Sequence, residues 1–325
     1  MLNLPHTMLE TLEGKNTILI AGIGGGSDIL AGIPLYYSLV KSGKKVHLAN
    51  LTHTDLKTIN EFAEPIVLAP GVYGATSNIK LPSTNYVEGY LSQFFKAYTN
   101  QDIIVWMLER NAVPLLKKAY ERLLEHLKID AIVLVDGGVD SIMRGDEDGS
   151  GTMFEDSLSL AAVKDLQLPK ILACVGFGTE IEEGVSHYRA LENIATISKQ
   201  GGFYGTCSLV SFMRSFIIYE KACSYVWMQP GHKKSHISSR IIPAAEGEFG
   251  EYNMFEGDPE VTTPEKLCVS PLMSMYWFFN AEAAIYNNQI ITYIEGVDTF
   301  YDAIQAAVPR IKNIKTRERK EFPYT

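Results

Sequence analysis

Negative charge gathers where the chain reads IVLVDGGVDSIMRGDEDGSG, residues 132–151. Asp136 ends an apolar run, Gly137 and Gly138 permit a tight turn, and Asp140, Asp146, Glu147 and Asp148 follow with Arg144 among them. Acids this dense repel one another unless a cation, an arginine or solvent relieves them. Oxygen ligands alone favour a hard ion such as Mg²⁺ or Ca²⁺ over zinc. The calcium-loop template fails in two registers. From Asp146 the twelfth position is Ser157, and from Asp140 the third is Ile142. The expected roles are therefore Asp136 and Asp140 as ligands of a divalent cation, Mg²⁺ first, or as activators of water. Asp146 or Glu147 would assist, and Arg144 would neutralise charge on a substrate. Asp148 is expected in a solvated loop.

A second glycine turn, AGIGGGSDILAGIP at 21–34, follows an apolar run. Gly24, Gly25, Gly26 and Ser27 would let backbone N–H groups approach an anion at a helix start. The dinucleotide fingerprint fails twice, with Ser27 at the third glycine position and Asn50 where a ribose-binding acid belongs. Asp28 would repel a phosphate on those amides but would suit a hydroxyl, an amine or a metal. A third turn, GFGTEIEEGVSHYR at 176–189, offers Gly178, Thr179 and Glu180 as members of the same crevice. Thr152 and Glu155 have capping-box spacing before an apolar helix. His187, and the pair His232 and His236, are expected to be structural or surface groups. There is no Walker motif and no G-x-S-x-G.

These turns need rigid carriers. Apolar runs at 17–23, 45–51, 65–70, 102–108, 131–136 and 170–177 read as strands. Helical patterns fall at about 85–98, 113–128 and 154–166, with Pro114 in a first turn. Strands apolar throughout, alternating with amphipathic helices, predict a Rossmann-like, doubly wound, mostly parallel α/β sheet with helices on both faces. Ligands gather beyond the strands' carboxyl ends in such a sheet. About six or seven strands are expected. One domain spans 1–325, with 208–325 as a helical and loop-rich elaboration. A long helix is expected over 208–228, with two more near 272–288 and 298–312.

The net charge of −9 makes a nucleic-acid partner an unfavourable expectation. No apolar run approaches the ~20 residues of a membrane span. The four dispersed cysteines and the absence of a leader-like N-terminus point to a reducing, cytoplasmic compartment. A homo-oligomer is compatible with this composition.

The runs AGIGGGSDI, LVDGGVDSIMRGDEDGSGT with EDSLSLAAV, and GFGTEIEEGVSHYR resemble a prokaryotic family catalogued as domain of unknown function 1152. Val139 stands where that family's pattern has threonine. The resemblance implies a shared site and no particular reaction. Together these readings predict a metal-assisted hydrolase or transferase acting on a phosphorylated sugar or nucleotide-like small molecule. A non-catalytic sensor of such a molecule is the alternative, and a dehydrogenase with an atypical dinucleotide loop is the third.

Overall fold

A computed structural model describes residues 7–83, 85–253, 266–313 and 316–320. Its strands are β1 (Thr17–Gly22), β2 (Lys45–Thr52), β3 (Ile66–Ala69), β4 (Val72–Ala75), β5 (Val105–Glu109), β6 (Ala131–Asp136), β7 (Lys170–Val175), β8 (Phe203–Ser208), β9 (Gly250–Asn253), β10 (Lys266–Val269) and β11 (Met275–Asn280). Nine form one sheet in the order β3-β4-β5-β2-β1-β6-β7-β11-β8, and β9 and β10 pair separately. The central strands β5, β2, β1, β6 and β7 are all parallel. Antiparallel strands extend both edges.

Period-two side-chain alternation divides each central strand between two cores. Leu19 and Ala21 of β1 join Ile132 and Leu134 of β6 on one face, under the helices Val113–Leu127, Met153–Val163 and His187–Lys199. Ile18, Ile20, Val133 and Val135 face the other way, under Ile33–Lys41, Val87–Thr99 and Arg214–Trp227. A strand buried on both faces must be apolar throughout, which is why these runs were readable.

The chain proceeds from β1 to β2 on one side, and after β5 it crosses back to place β6 on β1's other side. The crossovers therefore leave toward opposite faces and open a crevice between the carboxyl ends of β1 and β6. The next turn, after β7, is the adjacent one.

Three expectations need correction. The helix expected over 208–228 begins only at Arg214, because Phe203–Ser208 is spent on β8. The segment expected as helix over 272–288 contains β11, and its helix covers only Ala281–Asn287. The sheet also has more strands than expected, since β4, next to the edge strand β3, and the edge strand β8 carry little apolar signal. No helix among the described residues is long and apolar enough to cross a membrane.

β11 is tied to the site side of the sheet by Tyr276, whose buried hydroxyl donates to the Ala31 carbonyl at 2.6 Å. Tyr276→Phe should lower stability by about 1 kcal/mol, the usual net worth of one such bond. A denaturant melt with unchanged slope and a lower midpoint checks it.

Candidate active site

Asp136 is the last residue of β6, and its carboxylate is buried at the mouth of the crevice. Ser141 fixes it, donating from both its amide, at 3.2 Å, and its hydroxyl, with Cys174 Sγ 3.3 Å from that hydroxyl. Asp28 arrives from the β1 turn, where its Oδ2 accepts the Gly24 amide at 2.7 Å. Asp156 comes from the helix Met153–Val163, which Ser159 anchors to the β1 turn by donating to the Ile23 carbonyl at 2.8 Å. One carboxylate oxygen from each of Asp28, Asp136 and Asp156 lies within 4.8 Å of the others.

Glycines make this approach sterically allowed. A Cβ at Gly24 would lie 2.8 Å from Asp28 Oδ2 and 3.0 Å from Asp156 Oδ1. One at Gly138 would lie 2.4 Å from Glu180 Cδ, and one at Gly137 would lie 3.0 Å from Asp28 Oδ1. The three turns therefore meet. Glu180 reaches across to accept the Val139 amide at 2.7 Å. Asp140 takes the Thr152 amide at 2.6 Å and its hydroxyl at 3.0 Å.

Burial, then the repulsion of neighbouring acids, sets the electrostatics. Burial pushes Asp136 up to about 6, although Ser141 opposes the shift. Burial and the Asp136 charge push Asp140 up to about 7. Asp156 and Glu180 are held well above the usual carboxylate range by burial and by Asp140 and Asp136. Asp28 is raised by the same causes, against the amides of Gly24 and Gly137. Among the described residues no lysine, arginine or histidine pairs with any of these five acids, and Asp156 Oδ1 is buried without a hydrogen-bond partner. The chemistry of such a set is to hold a hard cation or to share protons.

The structure brings Asp28, Asp136, Asp140 and Glu180 together, with Gly24, Gly137 and Gly138 packed among them. Asp146 and Glu147 are placed otherwise. Asp146 accepts from Arg317 Nε at 2.9 Å, and Arg317 also reaches Glu147, Glu192 and Asn193. Glu147 further accepts the amides of Arg144 and Gly145, at 3.0 and 2.8 Å, and Asn193 Nδ2 at 2.8 Å. These two acids anchor the C-terminal segment instead of facing the crevice. Arg144 turns to Asp146, 3.6 Å away. Gly25 and Gly26 face the ring of His53, and Ser27 makes no side-chain cap bond. The Gly24 amide is committed to Asp28, so it does not serve an external anion. Thr179 closes its own turn by donating to Gly176 O at 2.7 Å, and Gly178 adopts φ +92° with His187 packed where its Cβ would be.

The expected capping box is also replaced. Thr152 gives its hydroxyl to Asp140, and Glu155 pairs with His53 at 3.1 Å and Arg110 at 2.6 Å. Its neighbour Asp156 is the site residue that the sequence reading missed. The available signal was a carboxylate on the otherwise apolar face that also carries Met153 and Leu160, a face that must be buried.

Two outcomes follow. Arg317→Ala removes the cation shared by Asp146, Glu147 and Glu192, leaving Glu147 with neutral donors only, and should cost about 3 kcal/mol, the order for breaking a partly buried pair. A denaturant melt reads it. Asp136 and Asp140 also bind protons in the folded chain that the unfolded chain, near its ordinary pKa of about 4, has released. Their favourable contribution is complete below about pH 4 and is lost as pH rises through about 6 and about 7. In EDTA the melting temperature should fall between pH 5 and 8, and Asp140→Asn should flatten the fall.

A family model described as protein of unknown function (DUF1152) matches residues 75–316. The matched region holds Asp136, Asp140, Asp156 and Glu180, while Asp28 precedes it. No curated protein and no solved structure matches the chain. With most of its length covered, and with the acids of its second and third turns inside the match, the chain belongs to the DUF1152 family.

Proposed function

We propose that the protein is a metal-assisted hydrolase or transferase acting on a phosphorylated sugar or nucleotide-like small molecule in the crevice beyond β1, β6 and β7. The observation that carries this reading is Asp156 Oδ1, buried without a partner among carboxylates of Asp28 and Asp136 that no cationic side chain among the described residues relieves. A structural role would have supplied an arginine, as Arg317 does for Asp146 and Glu147.

Asp28, Asp136 and Asp156 would hold the cation. Mg²⁺ or Mn²⁺ fits their oxygen-only chemistry, and it would supply charge neutralisation for a phosphoryl oxygen. Ser141 keeps Asp136 in its orientation, and Gly24 holds Asp28. Asp140 and Glu180 are left to exchange a proton with water or with a leaving group. Asp28 is partly exposed and marks the side from which a substrate reaches the acids.

Calorimetric titration with Mn²⁺ should show a saturable site in the wild-type chain, weakened at least about 100-fold by Asp156→Asn, beyond the loss typical of removing a supporting group. With Mg²⁺, Asp136→Asn should abolish turnover of the responsive member of a sugar-phosphate and nucleotide panel while the melting transition remains cooperative. Absence of a saturable Mn²⁺ site would overturn the metal reading. Tight ligand binding with no turnover after long incubation would favour a sensor.

A further inference from the structure

The β1 glycine turn has a second side. Gly24 packs against Asp28 and Asp156, but Gly25 and Gly26 are faced by His53. Beyond them lies a cavity of about 380 Å³, lined by Gly26, Ser27, His53, Glu88, His232 and Lys233. This volume lies within the range of small-molecule sites. It sits over the ends of β1 and β2, one strand away from the acid crevice.

In doubly wound sheets an acid ending the second strand commonly receives a sugar hydroxyl. Asn50 occupies that position here, and it is buried. Its Nδ2 donates to the Gly26 carbonyl at 3.0 Å and to Glu88 Oε1 at 2.8 Å. Asn50 therefore brackets the glycine turn to a carboxylate borne by another element, the helix Val87–Thr99. An acid in a helix's first turn has an ordinary explanation in the helix dipole, but such acids are normally solvated. Glu88 is 1% exposed and still lines the cavity.

The hydrogen bonds around Glu88 define what it can recognise. Its Oε2 lies 3.3 Å from the Thr54 hydroxyl, and its Oε1 accepts from Asn50. Thr52 and the amide of Glu88 itself add further donors, all of them neutral, and no ion pair reaches it among the described residues. The Thr54 hydroxyl has one proton, and the Asn85 carbonyl lies closer to it, at 2.7 Å, so the Oε2 side facing Thr54 stays open to a ligand's hydroxyl groups. A phosphate beside Glu88 would be repelled, whereas hydroxyl groups would be held. His53 is already paired with Glu155, and the exposed Lys233 lies on the same cavity wall.

We propose that this cavity is the sugar subsite of the substrate, with Glu88 accepting hydrogen bonds from a vicinal diol of a phosphorylated sugar or nucleoside. The phosphate then extends past Gly26 and Ser27 toward the acids of β1 and β6. This deepens the proposed function and rests on it for the reaction, but binding of the diol needs no cation.

The test is equilibrium binding of AMP, ribose 5-phosphate and glucose 6-phosphate to the full chain, in EDTA and again with Mn²⁺ to offset the acids' repulsion of the phosphate, with 2′,3′-dideoxy-AMP as the diol-free control. At least one diol-bearing probe should bind, and AMP, if it does, should exceed its dideoxy analogue by at least about tenfold, since a site built for hydroxyls rejects analogues that lack them. Glu88→Gln keeps the shape, removes the charge, and should lower affinity for every diol-bearing probe that binds by a similar factor. Failure of all three probes, equal binding of AMP and its dideoxy analogue, or undiminished binding by Glu88→Gln would each overturn the proposal. Should Glu88→Gln fail to fold, the wild-type comparison decides when AMP binds, and Glu88→Asp, which withdraws the carboxylate by one methylene, decides for the sugar phosphates. Diol binding without Mn²⁺ binding would remove the metal reading and keep the subsite. Mn²⁺ binding without diol binding would do the reverse.

Discussion

The constraint on which the site depends is repulsion among carboxylates brought to one place by a sheet that cannot yield. Asp28, Asp136 and Asp156 bring carboxylate oxygens within 4.8 Å of one another, and two full charges that close repel by at least roughly 3 kcal/mol at an effective dielectric of 20. Among the described residues the fold answers with hydrogen-bond donors and not with cations. Ser141, the Gly24 amide, the Thr152 amide and the Val139 amide each hold one acid in position. Such donors orient a carboxylate without cancelling its charge. The site therefore retains a net demand for positive charge or protons, and that demand is its chemical capacity.

The contrast within one loop sharpens the point. Asp140 and the pair Asp146 and Glu147 are separated by only a few residues, yet they meet opposite fates. Glu147 is as thoroughly buried as the crevice acids, but Arg317 and Asn193 complete its shell. Acid density along a chain measures only how much charge must be relieved. Whether the relief is structural or awaits a ligand depends on what the fold places opposite.

That dependence marks the boundary of what was legible. The central strands were readable because burial on both faces excludes polar residues, and their ends located Asp136 and the glycine turns. Asp28 and Glu180 were readable because each follows a strand end within a few residues. Asp156 was not, because it reaches the crevice from a helix whose position is set by packing and by the Ser159 bond to Ile23. Asp146 and Glu147 misled because their partner, Arg317, lies far along the chain. β11 read as helix because Met275–Asn280 runs directly into the helix Ala281–Asn287, and its aromatic residues suit either period.

The run of glycines in the first turn is accounted for by two neighbours, not one. Gly24 lacks a side chain because Asp28 and Asp156 occupy the space, and Gly25 lacks one because His53 does. Gly25 and Gly26 also carry φ of +91° and +56°, conformations that bend the backbone between those two surroundings. His53 in turn bonds Glu155, the residue beside Asp156. The helix Met153–Val163 thus presents adjacent acids to opposite sides of one turn, one neutralised and one not. A rigid partition of this kind fixes the distance between the cavity and the acids, so a ligand spanning it must be extended and must present different chemistry at its two ends.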